Sequence, residues 1–98
     1  MKIDLRKEEN KLFISLEGKL DTNTSPELDE KITELEGIEE LYIDLQNVDY
    51  ISSAGLRVLL SMQKIMNKQG KMVIKNVCEN VMDIFEVTGF SEILNIEA

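Results

Sequence analysis

Apolar and polar residues alternate with a period of two in the first part of the chain. This alternation is typical of strands that have one buried face and one exposed face. It occurs over residues 2–6 and again over residues 11–17, with apolar positions at Ile3, Leu5, Leu12, Ile14 and Leu16. The polar run Glu8-Glu9-Asn10 separates the two segments, so we predict two strands joined in a hairpin.

A helix is predicted next, because residues 21–27 are rich in helix-capping residues and Pro26 is favoured in a first helical turn. The helix should begin near Ser25 and place three apolar residues on one side, at Leu28, Ile32 and Leu35. Gly37 is then well placed to end the helix in a left-handed conformation.

The middle of the chain changes from strand spacing to helix spacing. A polar turn over residues 46–49 follows a predicted buried strand at Leu41, Ile43 and Leu45. From Ala54 to about Lys68 the apolar residues recur at helical intervals, at Leu56, Leu59, Met62, Ile65 and Met66. On the opposite side of this helix the spacing gathers a narrow, mostly basic stripe of Arg57, Ser61, Lys64 and Lys68.

A strand, a helix and a short terminal segment complete the pattern. Residues 72–74 are predicted to form a short buried strand, and a last helix runs from about Glu79 to Gly89, before a short apolar element at residues 93–96. The order ββαβαβα predicts a single domain over residues 1–98, of the α/β (α+β) class. We expect one mixed sheet of four to five strands, with helices packed mainly on one face and right-handed crossovers.

The composition limits the classes of function. Nineteen acidic residues against eleven basic ones give a formal charge of -8, which disfavours binding to nucleic acid or to anionic membranes. The sequence has no histidine, which removes Ser-His-Asp and Cys-His catalytic systems and the commonest metal ligand. A single cysteine is typical of a reducing compartment and cannot hold zinc by itself, and no apolar run is long enough to span a membrane. We therefore expect a cytoplasmic protein without metal, cofactor or membrane insertion. The missing histidine makes us expect a protein that is not an enzyme.

The most informative segment is the transition from the third strand to the following helix, where Ser52 and Ser53 stand at the predicted helix start. The first backbone N–H groups of a helix lack intrahelical partners and carry partial positive charge. A serine there either caps the helix or, once phosphorylated, holds its phosphate near those donors. The residues alone leave both interpretations open, and in either case Gly55 would ease close packing.

Three patches of the sequence together resemble a known family. The run Ser52-Ser53-Ala54-Gly55-Leu56 after the apolar strand is similar to the signature of STAS domains, particularly of bacterial anti-sigma factor antagonists. Gly18-Lys19-Leu20-Asp21 resembles an earlier segment of the same family, and Val87-Thr88-Gly89-Phe90 resembles its last helix-to-strand turn. The resemblance covers nearly the whole chain and implies the STAS fold.

In this family the phosphorylated serine precedes a small residue and the glycine, so the resemblance implies phosphorylation of Ser53. The position before it is often aspartate, whereas this chain has Ser52, which leaves Ser52 as a competing acceptor. The residues expected around the phosphosite are Asp21, Thr22, Ser52, Ala54 and Gly55. The alternative for Asp21 is that it caps the first helix or closes its own turn through its side chain.

The resemblance also implies partners. The unphosphorylated protein would bind an anti-sigma factor that is also a serine kinase, and would so regulate sigma-factor-dependent transcription. A serine phosphatase would reverse the modification, and the kinase would supply ATP and magnesium. Arg57 and Lys64 are candidate partner contacts, although a solvated helix face also explains them. The alternative function is a constitutive STAS subunit of a transporter or signalling scaffold, without a phosphorylation cycle.

Overall fold

The structure is a computed structural model that describes residues 1–97. Its α-helices are α1 (Ser25–Asp29), α2 (Ser53–Gln69) and α3 (Glu79–Thr88). Its strands are β1 (Lys2–Glu8), β2 (Lys11–Leu20), β3 (Glu40–Ile51), β4 (Lys71–Lys75) and β5 (Ile96–Glu97). Two 3₁₀ helices follow α1 and α3, at Glu30–Leu35 and Phe90–Glu92. Within residues 1–97, no helix is long and apolar enough to cross a membrane.

The five strands form one mixed sheet in the order β1-β2-β3-β4-β5. Strands β1 and β2 pair as the predicted antiparallel hairpin, and the remaining neighbours are parallel. Parallel neighbours need crossover connections, which are supplied here by the helical segments after β2, β3 and β4. The prediction of a single mixed sheet is therefore confirmed.

One face of the sheet carries the hydrophobic core. Two rows of buried side chains run in register across β2, β3 and β4, and they are Leu12, Leu41, Met72 and Ile14, Ile43, Ile74. The inward side of α2 joins the same core through Leu56, Leu59, Met62 and Met66. The apolar periodicity of the sequence therefore identified both sides of this layer correctly.

Aromatic rings and ion pairs lie on the other face of the sheet. The rings of Phe13 and Tyr42, which are neighbours on β2 and β3, stack with their centroids 5.1 Å apart. The carboxylate of Glu40 accepts a hydrogen bond from the Tyr42 hydroxyl and lies 4.0 Å from the Lys11 ammonium and 3.8 Å from that of Lys71. The hydrogen bond first, and then the two ammonium charges, hold the pKa of Glu40 below its usual value despite some burial.

The first predicted helix is split in two. The α-helical part ends at Asp29, and the segment Glu30–Leu35 is a 3₁₀ helix, so the prediction of one continuous α-helix was wrong. The apolar residues in and just after this segment recur every three residues, which suits the roughly three residues per turn of a 3₁₀ helix. These residues are Ile32, Leu35 and Ile38. Gly37 has the predicted left-handed conformation, with φ of +78°.

The polar turn predicted at residues 46–49 was also wrong, because β3 continues through these residues to Ile51. The segment pairs with the end of β2, where Gly18 lies opposite Val48 and Leu20 lies opposite Ile51. Register shifts in this stretch, one of them next to Gly18 with φ of +111°, keep the two strands paired. The backbone groups of the polar segment therefore find partners in β2, and the strand does not end.

Candidate functional site

The start of α2 presents its two serines in different ways. Ser53 is the first residue of the helix, and it is exposed. Ser52 is the N-cap residue, and its carbonyl oxygen accepts the first helical hydrogen bond, 2.9 Å from the Leu56 nitrogen. The Ser52 hydroxyl makes no capping hydrogen bond and is buried without a partner in the described structure. A group in solution therefore meets the Ser53 side chain and not the hydroxyl of Ser52.

Contacts with the end of β2 determine where α2 begins. The backbone nitrogen of Ser52 donates a hydrogen bond of 2.9 Å to the carbonyl oxygen of Leu20. One turn later, Gly55 is buried against the same part of the chain. Because Asp21 follows Leu20 directly, these contacts join the start of α2 to the beginning of the loop that carries Asp21 and Thr22.

The loop after β2 closes on the side chain of Asp21. Its Oδ1 atom accepts hydrogen bonds from the backbone nitrogens of Asn23 and Thr24, at 2.9 and 3.1 Å, and from the Thr24 hydroxyl at 3.2 Å. Burial raises the pKa of Asp21, but these hydrogen bonds and the charge of Lys19 outweigh it and hold the pKa below its usual value. Asp21 therefore closes its own turn through its side chain and does not cap α1, whose N-cap residue is Thr24, while its contact with a phosphosite stays a prediction. Within the described part of the chain, no group of three or more cysteine or acidic side chains could hold a metal ion.

The basic stripe predicted on α2 lies on its outer side. Arg57, Lys64 and Lys68 are exposed, and the ion pairs found within residues 1–97 join other residues. Arg57 also borders a groove of about 280 Å³ between α1 and α2, in which Val58 supplies apolar surface. Within the described structure these cations therefore lie at the surface without a carboxylate partner.

Sequence reasoning missed the contacts that join α3 to the end of β3. The side-chain amide of Asn80 donates to the carbonyl oxygen of Asp49 at 2.7 Å, and the Cys78 thiol donates to that of Val48 at 3.4 Å. Strand β4 pairs with β3 only as far as Asp44, so these carbonyl groups lie beyond that ladder. Donors and acceptors are distant in sequence, and no local pattern marks them. The helices α2 and α3 therefore both begin near the carboxyl end of β3.

The fold and the arrangement at the start of α2 define a class of protein. The family model of the STAS domain matches residues 2–98, and the chain belongs to the STAS domain family. Among its relatives is the anti-sigma-B factor antagonist of Bacillus subtilis (strain 168). That protein is 33% identical over 98 residues, which cover 98% of this chain and 90% of the relative.

Solved structures show the same fold at low sequence identity. An anti-sigma factor antagonist from Mycobacterium paratuberculosis has a TM-score of 0.86 at 20% identity, covering 97% of this chain and 83% of that one. The Bacillus cell fate determinant SpoIIAA in its phosphorylated form has a TM-score of 0.75 at 15% identity, covering 99% and 92%. The mixed sheet with helices on one face is therefore the fold of these neighbours.

Proposed function

We propose that this STAS domain is an anti-sigma factor antagonist that binds an anti-sigma factor while Ser53 is unphosphorylated. Phosphorylation of Ser53 by that partner, acting as a serine kinase, ends the contact, and a serine phosphatase restores it. The Bacillus subtilis relative supports the antagonist role, and SpoIIAA is a neighbour in fold that has a phosphorylated form. In this proposal the chain is a binding partner and a kinase substrate, not an enzyme.

The observation that carries the proposal is the contrast between two adjacent serines. Ser53 is exposed, whereas the hydroxyl of Ser52 is buried without a hydrogen-bond partner in the described structure. A kinase must align the hydroxyl of its substrate with the γ-phosphate in its own active site. An exposed serine can enter that site while the domain stays folded, and this supports Ser53 rather than Ser52 as the acceptor.

A phosphate on Ser53 would change the surface without opposing the fold. It adds about -1.5 to -2 charges at neutral pH. The charge would stand at the helix end where free N–H groups carry partial positive charge. The exposed Arg57 is four residues further along α2, a spacing at which side chains on a helix meet. A partner packed over this region would have to desolvate the anion, which weakens its binding strongly.

Intact-mass spectrometry tests the phosphorylation step. The chain incubated with its cognate anti-sigma kinase, ATP and magnesium should gain about 80 Da, the mass of one phosphate ester. Ser53→Ala should abolish this gain, and the control variant Ser52→Ala should retain it. A gain that survives Ser53→Ala would contradict the choice of acceptor. No gain with the cognate kinase would favour the constitutive subunit of a transporter or scaffold.

The binding step needs a separate measurement. Isothermal titration calorimetry of the unphosphorylated chain against the same anti-sigma factor should show a complex, and the chain phosphorylated on Ser53 should show none. Addition of the unphosphorylated chain should also release the sigma factor from a preformed complex with the anti-sigma factor. Equal affinity of the two forms would contradict the switch but would leave the antagonist role in place.

A further inference from the structure

One side of α3 presents apolar surface to solvent. Val87 is 88% exposed, and Ile84, one turn earlier, is only partly buried. These two side chains line a shallow, open pocket of about 230 Å³ together with Asn80, Asp83 and Thr88. Residues three and four apart lie on the same side of a helix. The five residues therefore form one continuous surface, which we call the α3 stripe.

The same part of the chain carries only negative side-chain charge. Residues 76–97 contain five acidic residues and no lysine or arginine. All five are exposed, and they are Glu79, Asp83, Glu86, Glu92 and Glu97. By contrast, α2 has three cationic residues and no acidic one. The α3 stripe therefore lies in a field of one sign, which attracts cationic groups and repels anionic ones.

Glu79 in the first turn of α3 suits the helix dipole, but Val87 and Glu86 near the other end do not stabilise the helix. Val87 is almost fully exposed, so its side chain gains little from burial in the folded state. Glu86 lies near the carboxyl end of α3, where the helix dipole disfavours an acidic side chain, and the last turn has no basic residue. Val87 and its half-buried neighbour Ile84, bordered by acidic side chains alone, are therefore available for contact with a partner.

We propose that the α3 stripe is a docking surface for the anti-sigma factor, which contributes an apolar side chain flanked by lysine or arginine. The inference rests on the function proposed above and adds a second contact area to the phosphosite. The start of α3 is hydrogen-bonded through Asn80 to Asp49, four residues before Ser53. Because α2 and α3 both begin near the carboxyl end of β3, a partner that covers Ser53 can extend onto α3, and charge complementarity sets the chemistry of the segment that docks there.

Calorimetry with the cognate anti-sigma factor tests whether the acidic residues of α3 contribute to binding. The double variant Asp83→Lys/Glu86→Lys should weaken binding at least about tenfold and reduce the salt dependence seen with the wild-type chain. The control Glu34→Lys/Glu36→Lys changes the net charge equally, at exposed positions outside α3. It should change the affinity less than about threefold, because rim charges far from a contact contribute little.

A second pair of variants tests the apolar contact. Val87→Ser should weaken binding about three- to tenfold, because it removes a buried apolar contact from the complex, and Val87→Leu should keep the wild-type affinity. All the substituted side chains are exposed in the free chain, so the variants should fold. Thermal melting followed by circular dichroism checks this for each variant.

The outcomes separate this inference from the proposed function. If the wild-type chain binds the anti-sigma factor and the charge-reversed and Val87→Ser variants bind within about twofold of it, the inference about α3 fails alone. If the wild-type chain does not bind the anti-sigma factor at all, both fail. A wild-type dimer that dissociates on charge reversal in α3 would assign the stripe to a second copy of this chain and would also overturn the inference.

Discussion

Gly55 lies directly against Leu20, and the space between them leaves no room for a side chain. A Cβ atom on Gly55 would stand 2.7 Å from the Cγ atom of Leu20 and 2.8 Å from its carbonyl oxygen. That carbonyl oxygen is also the acceptor for the backbone nitrogen of Ser52. The glycine therefore lets the first turn of α2 pack against the end of β2, and this packing sets the position of Ser53.

Replacement of this glycine should affect both the fold and the phosphosite. We expect Gly55→Ala to lower the free energy of unfolding by about 1–3 kcal/mol, because the new methyl group forces the start of α2 away from Leu20. Urea denaturation measures this loss, and the rate of phosphorylation by the cognate kinase should also fall. The control is Ile74→Val, a core truncation that costs about 1 kcal/mol. Equal phosphorylation rates in the two variants would show that the packing does not position Ser53.

Replacement of Ser52, in contrast to replacement of Gly55, should hardly change the stability of the fold. Replacement of a typical N-cap serine by alanine costs about 1 kcal/mol. The Ser52 hydroxyl has no capping hydrogen bond in the described structure, so Ser52→Ala should cost less than about 0.5 kcal/mol or stabilise the fold slightly. Urea denaturation of Thr24→Ala is the comparison, because the Thr24 hydroxyl donates to the Lys19 carbonyl oxygen at 2.6 Å. A full loss in Ser52→Ala would mean that its hydroxyl does cap α2.

The sequence predicted those features that depend on local spacing. The two period-two strands, the amphipathic α2 and the left-handed Gly37 all follow from residues close together in the chain, and the structure confirms them. The buried face expected for β1 was wrong at Leu5, which is 37% exposed, whereas the predicted apolar positions of β2 are buried. Features that depend on distant residues were missed. The continuation of β3 needs pairing with β2 across register shifts, and the backbone of Ser52 bonds to Leu20, which lies 32 residues earlier in the chain.

In the candidate site, too, the features set by local spacing were predicted and those set by distant residues were not. A serine pair at the start of a helix was visible in the sequence, because the apolar spacing of α2 marks where that helix begins. Local spacing does not report which of the two hydroxyl groups is accessible, because that depends on tertiary packing. The contact from Asn80 to Asp49 joins residues from separate elements and had no local signal either.

A negative charge at Ser53 should leave the domain folded and impair binding. Ser53→Asp places a carboxylate at the first position of α2, where the helix dipole favours it, so the stability should stay within about 0.5 kcal/mol of wild type. Affinity for the anti-sigma factor should fall strongly in calorimetry. Thr33→Asp adds the same charge at an exposed position outside α2 and is the control. Unfolding of Ser53→Asp would show that this side chain is packed in the interior.

The stacked pair on the other face of the sheet should contribute measurable coupling. Phe13 and Tyr42 are cross-strand neighbours with nearly parallel rings, at an interplanar angle of 13°. A double-mutant cycle with Phe13→Leu and Tyr42→Leu should give a coupling free energy of about 0.5–1.5 kcal/mol in urea denaturation. Tyr42→Phe is the control, since it keeps the ring and removes the hydrogen bond to Glu40. Strictly additive losses would show that the rings do not stabilise each other.

The loop before α1 should lose stability in acid through Asp21. Its pKa in the fold lies below the ordinary value of 3.8, so the ionised carboxylate stabilises the folded state above that pH. This contribution is lost as the pH falls through the folded-state pKa. Asp21→Asn cannot ionise, so it should be less stable than wild type near about pH 7, and the difference should shrink toward about pH 2. Urea denaturation across this range measures it, with Asp29→Asn as the control for losing an exposed acid. A difference independent of pH would show that the charge on Asp21 does not strengthen its hydrogen bonds to Asn23 and Thr24.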